Sequence, residues 1–322
     1  MAATGDSSNV ENAKVENDAD NSDWMSKLPE KLRCEPLKNI AIPGSHDSFS
    51  YTLDLNTPVS PSSPDTVRNL VSAFGNMAKK IVYSWSVTQS LTFRQQLDRG
   101  IRYFDLRVST MNGKPELYFV HGLYGAEVGT CLREIKAWTD EHPKEVIFLD
   151  FNHLYEMQEA DHEQLVATLL SVFDSKLCPV INIETTALNV LWEKGWQVLV
   201  FYHHHGIVQD HPELWSGDFM PSVWPNVTEA PKMVNLLEAH FTRGRPPGKF
   251  YVSQGVLTPT GTTVLQYISR SLKDVFALIA IKNVQYFMKD KAVGPKGLNI
   301  IIADFVEMGD FIPSVLALNH KA

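Results

Sequence analysis

The sequence predicts an α/β fold, a single-domain distorted (β/α)8 barrel of the TIM type, on three observations. Stretches with strand character alternate with stretches of helical spacing along most of the chain. Several strand stretches are apolar or nearly so, for example residues 198–202 and, apart from one aspartate, residues 146–151, as expected for parallel strands covered on both faces. The 322 residues hold about seven or eight such strands, which suits one barrel of about 250 residues with insertions. A doubly wound sheet is the alternative, but neither G-x-G-x-x-G nor G-x-x-x-x-G-K, its phosphate-binding turns, occurs.

The individual elements follow from apolar periodicity and from the turn residues at their ends. Strands are predicted at residues 39–42, 101–108, 117–120, 146–151, 198–202, 250–252 and 299–305. Helices are predicted at residues 67–78, 91–98, 132–139, 164–173 and 233–241. Asp65 is expected to cap the first of these helices and Gly100 to end the second, with a Pro- and Ser-rich loop over residues 55–65.

Composition separates a short acidic N-terminus from a nearly neutral body. Residues 1–24 contain six acids and one lysine, a net charge of −5, whereas the whole chain carries −8. Because they hold few large apolar residues, residues 1–23 are predicted to form a disordered tail, and residues 24–322 are predicted to form the barrel. The acidic balance excludes the basic surface of a nucleic-acid-binding protein. No apolar run approaches the about 20 residues that a transmembrane helix needs.

The cellular compartment is inferred from the N-terminus and the cysteines. The first residues lack the apolar segment of a signal peptide, and the three cysteines are widely spaced with no C-x-x-C pair. Both features are typical of a cytoplasmic protein with reduced thiols. The sequence leaves the oligomeric state open.

Polar side chains collect where the predicted strands end. His46 and Asp47 follow the first strand, and His121 follows the third. Further polar residues lie within or directly after the other apolar strands: Asp105, Arg107, Asp150, Asn152 and Asp304. A barrel gathers the C-terminal ends of its strands at one mouth, so these side chains are expected to converge there. One such residue alone would be a buried polar or turn residue, but this many predict a site.

The residue types suggest acid–base chemistry on an anionic group. Asp105 and Arg107 are two residues apart, which places both side chains on one face of a strand. The pair is either a structural ion pair or an arginine held ready for a phosphate oxygen. His46 and His121 can act as base and acid because imidazoles titrate near neutral pH, and carboxylates can stabilise their charged forms.

The same residues resemble the phosphatidylinositol-specific phospholipase C family. Residues 42–48 (IPGSHDS), 100–107 (GIRYFDLR) and 118–122 (YFVHG) are similar, in order and spacing, to three boxes of its catalytic X domain. Residues 23–25, 85–89, 148–153, 191–194 and 303–305 are similar to the small eukaryotic X-domain-containing proteins that lack accessory domains. The resemblance covers residues 23–320.

The resemblance implies a distorted TIM barrel that cleaves membrane phosphatidylinositol into diacylglycerol and a cyclic inositol phosphate. It implies that His46, supported by Asp304, is the general base, and that His121, supported by Asp47, is the general acid. Arg107 would stabilise the phosphate charge. Asp105 would orient Arg107 or His46.

The resemblance also implies that neither a metal ion nor another cofactor is needed. Calcium-dependent members have Asn after the first His and Glu-x-Asp in the second box, which gathers oxygen ligands for a hard cation. Here His46-Asp47 and Asp105-x-Arg107 occupy these positions, as in the metal-independent bacterial enzymes. Arg107 is therefore expected to supply the cation's charge.

Head-group contacts are the least specified part of the expected site. Bacterial members hold inositol with Arg, Asp and Tyr side chains, and the candidates here are Asp150, Asn152, Tyr202 and Gln254. Two other functions stay open: a lipid-head-group binding module with weak catalysis, and a zinc hydrolase that uses residues 203–205 (HHH). For the three adjacent histidines, a solvated loop is favoured over zinc because neighbouring side chains point in different directions. The protein is expected to associate transiently with membrane surfaces.

Overall fold

The computed structural model describes residues 20–321, and within this range one curled sheet carries ten strands. The strands are β1 Ile42–Ser45, β2 Tyr103–Thr110, β3 Leu117–His121, β4 Leu123–Glu127, β5 Ile147–Tyr155, β6 Val198–Tyr202, β7 Trp215–Ser216, β8 Ser222–Val223, β9 Val252–Gly255 and β10 Ile300–Ala303. The α-helices are α1 Glu30–Cys34, α2 Asp65–Phe74, α3 Asn76–Ser86, α4 Phe93–Arg99, α5 Val128–Glu141, α6 Glu159–Phe173, α7 Leu188–Lys194, α8 His205–Asp210, α9 Ala230–Arg243, α10 Gly261–Gln266, α11 Leu278–Met288 and α12 Phe311–Leu318.

Eight strands pair in parallel in the order β7-β6-β5-β2-β1-β10-β9-β8. The hairpin of β3 and β4 adds to β2 in antiparallel fashion and carries His121 at the end of β3. The two-residue strands β7 and β8 end the sheet, and no pairing joins them within residues 20–321. The sheet is therefore a half-barrel that stays open at one seam. The predicted single-domain, distorted TIM-type α/β fold is confirmed.

Side-chain alternation divides the core into an interior and an outer shell. The interior contains Tyr103, Phe148, Phe201 and Phe250, and the N-terminal Trp24 belongs to the same cluster. The outer shell, between sheet and helices, contains the alternate positions, such as Phe104, Leu149, Val200 and Tyr202. Both faces of the sheet are thus buried, as the apolar strand sequences predict.

Several element boundaries differ from the expectations. The predicted helix 67–78 is two helices, α2 and α3, because Gly75 lies between them with φ of 57°. Asp65 is the first residue of α2 and makes no cap hydrogen bond; its carboxylate accepts from Arg68 at 2.5 Å instead. The first strand spans Ile42–Ser45, whereas the sequence predicts it over residues 39–42. Gly100 ends α4 in the left-handed region with φ of 115°, as predicted.

The chain contacts the body of the protein from Asn21 onward. Of the tail predicted over residues 1–23, residues 1–19 lie outside the described residues, whereas residues 21–23 are hydrogen-bonded to the body. The backbone N–H of Asn21 donates to Asp98 at 2.9 Å, and the Ser22 carbonyl accepts from Arg102 at 2.7 Å. Arg102 and its partner Glu145 are fully buried. This ion pair fastens the N-terminal segment to the half-barrel where β2 and β5 begin.

Candidate active site

The three residues expected to carry the chemistry meet where the parallel strands of the half-barrel end. His46 follows β1, Arg107 lies on β2 and His121 ends β3. The Nη2 atom of Arg107 is 3.2 Å from Nε2 of His46, and the two imidazole centroids are 6.3 Å apart. All three side chains line one cavity of about 680 Å³. Its wall also contains apolar side chains, including Trp85, Trp224 and Leu257.

His46 is held in one orientation from both sides. Its Nδ1 is 2.7 Å from Asp304, so Nδ1–H donates to this buried carboxylate and leaves Nε2 facing Arg107. The side chains of Thr88 and Gln89 donate to the backbone carbonyl of His46 and fix the loop. Burial opposes the charged form, but Asp47, Asp304 and Asp105 outweigh it and raise the pKa of His46 to about 9.

His121 is fixed by a backbone group of α3. Its Nδ1 is 2.6 Å from the Ser86 carbonyl, which can only accept, so the Nδ1 hydrogen is committed there. Its Nε2 is 3.2 Å from Asp47. Burial, together with Arg107 and His46, lowers the pKa of His121 below its ordinary 6.5 although Asp47 opposes this shift. Asp47 thus contacts the nitrogen that would exchange a proton, and Ser86 fixes the tautomer.

Asp47 links the two imidazoles and the guanidinium. One carboxylate oxygen is 2.5 Å from Nε of Arg107, and the other faces Nε2 of both His46 and His121. Burial disfavours its charge, but Arg107, His121 and His46 lower the pKa of Asp47 to about 2. Its backbone φ of 41° is unusual for a non-glycine residue. The carboxylate of Asp105 holds this conformation by accepting the Asp47 N–H at 3.0 Å.

Asp105 therefore acts mainly on Asp47. The sequence predicts that it orients Arg107 or His46, but its carboxylate is 3.9 Å from Arg107 and 3.8 Å from His46. Its shorter contacts are with the Asp47 N–H and with the amide of Asn152, at 2.6 Å. Despite burial, Asp47 and Asp105 raise the pKa of Arg107 further, so the guanidinium stays charged.

Among residues 20–321, one group has the side chains and spacing to hold a metal ion, namely His46, Asp47 and Asp105. Arg107 already contacts the carboxylate of Asp47 and approaches that of Asp105. A divalent cation there would face a fixed positive charge and would have two carboxylates and one imidazole as ligands. Calcium takes six to eight oxygen ligands, so this set fits it poorly.

The four expected head-group residues divide into two that reach the cavity and two that do not. Asn152 and Gln254 line the cavity. The predictions for Tyr202 and Asp150 as direct contacts are wrong. Tyr202 is fully buried in the outer shell, where its hydroxyl contacts His162 at 2.8 Å. Asp150 points inward but is fully buried beneath the cavity floor, where it accepts from Tyr103.

The zinc interpretation of residues 203–205 is not supported by their geometry. Nε2 of His203 is 2.8 Å from Asp150, and the ring of His204 packs on His162 at 4.3 Å. The side chain of His205 is 78% exposed. The three histidines thus have different surroundings, and within the described part of the chain they join no cluster with metal-ligand spacing.

Sequence reasoning missed several residues that build the site. Ser86, Thr88 and Gln89 hold the two imidazoles, and His153 and His203 line the cavity. Residues 85–89 were part of the family resemblance, which was the only signal for the first three. The alternation along β6 could have identified His203, because it follows interior Phe201 by two positions.

The half-barrel fold is shared with solved structures of phosphatidylinositol-specific phospholipases C. The structure matches phosphatidylinositol-specific phospholipase C from Listeria monocytogenes with a TM-score of 0.62 and 17% identity, covering 93% of this chain and 98% of that one. A variant of the Staphylococcus aureus enzyme matches with a TM-score of 0.63 and 16% identity, covering 92% and 96%. These similarities establish the shared fold.

Sequence relatives then define the family. Human PI-PLC X domain-containing protein 3 is 46% identical over 301 residues, 93% of this chain and 94% of the relative. Mouse PI-PLC X domain-containing protein 2 is 43% identical over 315 residues, 97% and 92% of the two chains. The chain belongs to the PI-PLC X domain-containing proteins. No protein-family model matches it. Within residues 20–321, none of the helices has the length and apolarity for crossing a membrane.

Proposed function

We propose that this protein is a phosphoric diester hydrolase that cleaves phosphatidylinositol by two-histidine acid–base catalysis. The observation that carries the proposal is the placement of two imidazoles, 6.3 Å apart, beside one guanidinium at the wall of one cavity. A phosphodiester there would meet a base, an acid and a cation together. A binding module with weak catalysis would not require both imidazoles to be oriented by Asp304 and Ser86.

In the proposed reaction the inositol 2-hydroxyl oxygen attacks phosphorus and its proton passes to Nε2 of His46. The bond from phosphorus to the diacylglycerol oxygen breaks, and Nε2 of His121 protonates this leaving oxygen. The products are diacylglycerol and a cyclic inositol phosphate, which water can open by the reverse roles. Asp304 stabilises the imidazolium of His46, and Asp47 that of His121.

Arg107 takes the electrostatic part of the reaction in place of a metal ion. Its planar guanidinium suits two phosphate oxygens, and its charge is permanent at any working pH. Asp47 holds its Nε side, which leaves Nη2 directed toward the space beside His46. Negative charge that develops on the phosphate oxygens is stabilised without rearrangement of the site.

The pH dependence of activity is expected to be bell-shaped. The pKa of His46 is raised to about 9 and that of His121 is lowered below 6.5, so between these values the pair holds one proton, mostly on His46. The reactive form, with His46 neutral and the proton on His121, is in equilibrium with this major form and has the same total charge. Below the lower value both rings are protonated and the base is lost. Above about 9 both are neutral and the acid is lost. A profile of kcat/KM against pH tests this, with the exposed His205→Ala variant as a control that leaves the profile unchanged. A rate that still rises at pH 10 would contradict the assignment.

The proposed activity is tested by diacylglycerol release from phosphatidylinositol vesicles in the presence of EDTA. We expect full turnover in EDTA, and a loss of about 10²–10⁴ in kcat for His46→Ala and for His121→Ala. Both variants should melt within a few degrees of the parent protein, because neither side chain lies in the apolar core. If activity is absent in EDTA and returns with calcium, the metal-independent mechanism is wrong. If the parent protein releases no diacylglycerol under either condition, the hydrolase proposal fails.

We further propose that the protein acts from the cytoplasm and binds membranes transiently through an apolar rim beside the cavity mouth. Helix α2 has no buried residue, and its Leu70 and Phe74 are exposed, as is Met77 at the start of α3. Helix α3 then carries Trp85 to the cavity wall, and exposed Trp224 lines the same cavity. Exposed apolar side chains on the helices that lead to the cavity wall and at the wall itself suit contact with a bilayer. Lipid degradation and signalling are the processes such an enzyme would serve.

Replacing Phe74 and Met77 together by serine is expected to weaken binding to phosphatidylinositol vesicles by at least about tenfold, since two large side chains no longer enter the lipid. Vesicle sedimentation measures the binding. Cleavage of a monomeric short-chain lipid should stay unchanged. Tyr286→Ser is the matched control, because Tyr286 is 72% exposed on α11, a helix that contributes no residue to the rim. Equal weakening by both variants would show that the rim is not a specific contact.

A further inference from the structure

We propose that His203 is a head-group-binding residue, whose fixed ring nitrogen Nδ1 forms a hydrogen bond with a hydroxyl group of the inositol ring. This inference rests on the proposed function for the class of lipid. His203 would select lipids with an inositol ring, whereas His46, His121 and Arg107 act on the phosphate. Three features of the structure support it: how the ring of His203 is held, what lies against its face, and where it lies across the sheet.

The ring of His203 is held by a buried chain of hydrogen bonds. Its Nε2 is 2.8 Å from one oxygen of Asp150, and the other oxygen accepts from the Tyr103 hydroxyl at 2.5 Å. Asp150 and Tyr103 are both fully buried. The backbone N–H of His203 donates to Phe151 at 3.2 Å. An imidazole tied to a carboxylate that is itself tied in place can offer its second nitrogen in one direction only.

The face of the ring lies on a position where the chain has no side chain. A Cβ atom at Gly217 would come within 2.5 Å of three ring atoms of His203. Any residue other than glycine would therefore displace the ring from Asp150 or push it across the cavity. Gly217 lines the same cavity and follows β7, the neighbour of β6 in the sheet. The position of the imidazole thus depends on two different strands.

The second nitrogen, Nδ1, has no hydrogen-bond partner within residues 20–321, and the side chain is 30% exposed to the cavity. Although burial opposes charge, the hydrogen bond to Asp150 raises the pKa of His203, and Asp105 and Asp218 act in the same sense. The ring of His203 in turn helps to lower the pKa of nearby His153. A protonated ring donates from both nitrogens, one to Asp150 and one to the ligand.

The position across the sheet suits a ring bound through its phosphate at Arg107. Strand β6, which His203 follows, lies two strands from β2, which carries Arg107. Adjacent strands are about 4.8 Å apart, so the two positions differ by roughly 10 Å. Asn152 on the intervening strand β5 lines the cavity between them. If the phosphate of the head group lies at Arg107, the inositol ring attached to it can extend toward His203.

The test compares His203→Phe with Tyr202→Phe. Phenylalanine keeps a flat ring against Gly217 but has no N–H, whereas Tyr202 is the sequence neighbour that points into the outer shell. For His203→Phe we expect KM for phosphatidylinositol to rise by at least about tenfold with kcat little changed, as one buried hydrogen bond to the head group is lost. Calorimetry should show a matching rise in Kd for myo-inositol 1-phosphate and none for glycerol 1-phosphate. Tyr202→Phe should change neither value.

His203→Gln keeps the inference testable if phenylalanine impairs folding, because an amide retains an N–H. It should raise KM by less than His203→Phe. Unchanged KM and Kd in a folded His203 variant would overturn the inference. Equal weakening for glycerol 1-phosphate would also overturn it, since the effect would then lie at the phosphate. If the parent protein binds no inositol phosphate and cleaves no phosphatidylinositol, the proposed function fails as well, whereas normal cleavage with an unaffected His203 variant refutes only this inference.

Discussion

Replacing Arg107 by methionine is expected to lower kcat for phosphatidylinositol by about 10³–10⁵, the range for arginines that stabilise phosphoryl transition states. The side chain is the permanent cation of the site, next to His46 and in contact with Asp47. Its removal takes away the charge that would meet the phosphate oxygens. It also leaves Asp47 without its closest cationic partner, so the position of the shared carboxylate is loosened too. Steady-state turnover on mixed vesicles measures the loss.

Arg107→Lys separates charge from geometry. Lysine keeps the charge but not the planar fork, so we expect a smaller loss in kcat, of about 10²–10³. Arg133→Met is the control, because Arg133 is an exposed arginine on α5 with a 61% exposed side chain. Thermal unfolding of all three variants shows whether the folded fraction has changed. Turnover of Arg107→Met within tenfold of the parent protein would contradict the electrostatic role.

Replacing Arg102 by methionine is expected to lower the free energy of unfolding by about 3–5 kcal/mol. Arg102 and Glu145 are both fully buried, and Nη2 of Arg102 is 2.8 Å from Glu145. The guanidinium also donates to the carbonyls of Leu97, Ile101 and Ser22, and it lies 4.7 Å from the centre of the Trp138 ring. Without it, Glu145 becomes a buried charge with no cation, and several backbone carbonyls lose their donor. Urea unfolding measures the change.

The exposed pair of Arg94 and Glu141 supplies the comparison for this prediction. Both side chains are more than half exposed, so Arg94→Met should cost less than about 1 kcal/mol. Arg102 is far from the catalytic cavity, so the folded fraction of Arg102→Met should retain its turnover. Equal destabilisation by the two substitutions would show that burial of the Arg102–Glu145 pair contributes nothing.

The fold could be predicted from the sequence because buried parallel strands consist mainly of apolar residues. The stretches 146–151, apart from Asp150, and 198–202 are apolar on both faces, and both form strands in the structure. Helix ends were less accessible where several signals compete. Asp65 suits a cap by residue type, but in the structure it is already inside the helix and binds Arg68. The seam between β7 and β8 could not be foreseen, since two-residue strands have no periodicity.

The site was predictable where a side chain carries the signal and follows the strand pattern. His46, Arg107, His121, Asp47 and Asp304 were expected to converge, and the structure brings them together at one mouth. The prediction for Tyr202 was wrong because successive residues of a strand point to opposite faces of the sheet. An error of one position in the alignment therefore moves a side chain from the cavity to the outer shell. His203, the next residue, has the position that Tyr202 was expected to have.

Other parts of the site leave no trace in side-chain chemistry. The Ser86 carbonyl fixes His121, and a backbone carbonyl is present at every residue. The role of Gly217 depends on the ring of His203, which comes from another strand. Asp150 was expected to contact the ligand, yet it acts one layer below through Tyr103 and His203. Such contacts depend on distances across the sheet, which the order of residues does not specify.

The central claim is that His46, His121 and Arg107 act on the same phosphodiester. Phosphorus NMR of phosphatidylinositol vesicles incubated with the protein in EDTA tests it most directly, because the first product reports which oxygen attacked. The account predicts that a cyclic inositol phosphate appears first, and that an acyclic monoester, if formed, follows it. An acyclic monoester that forms without the cyclic ester, or no conversion until calcium is added, would contradict the account.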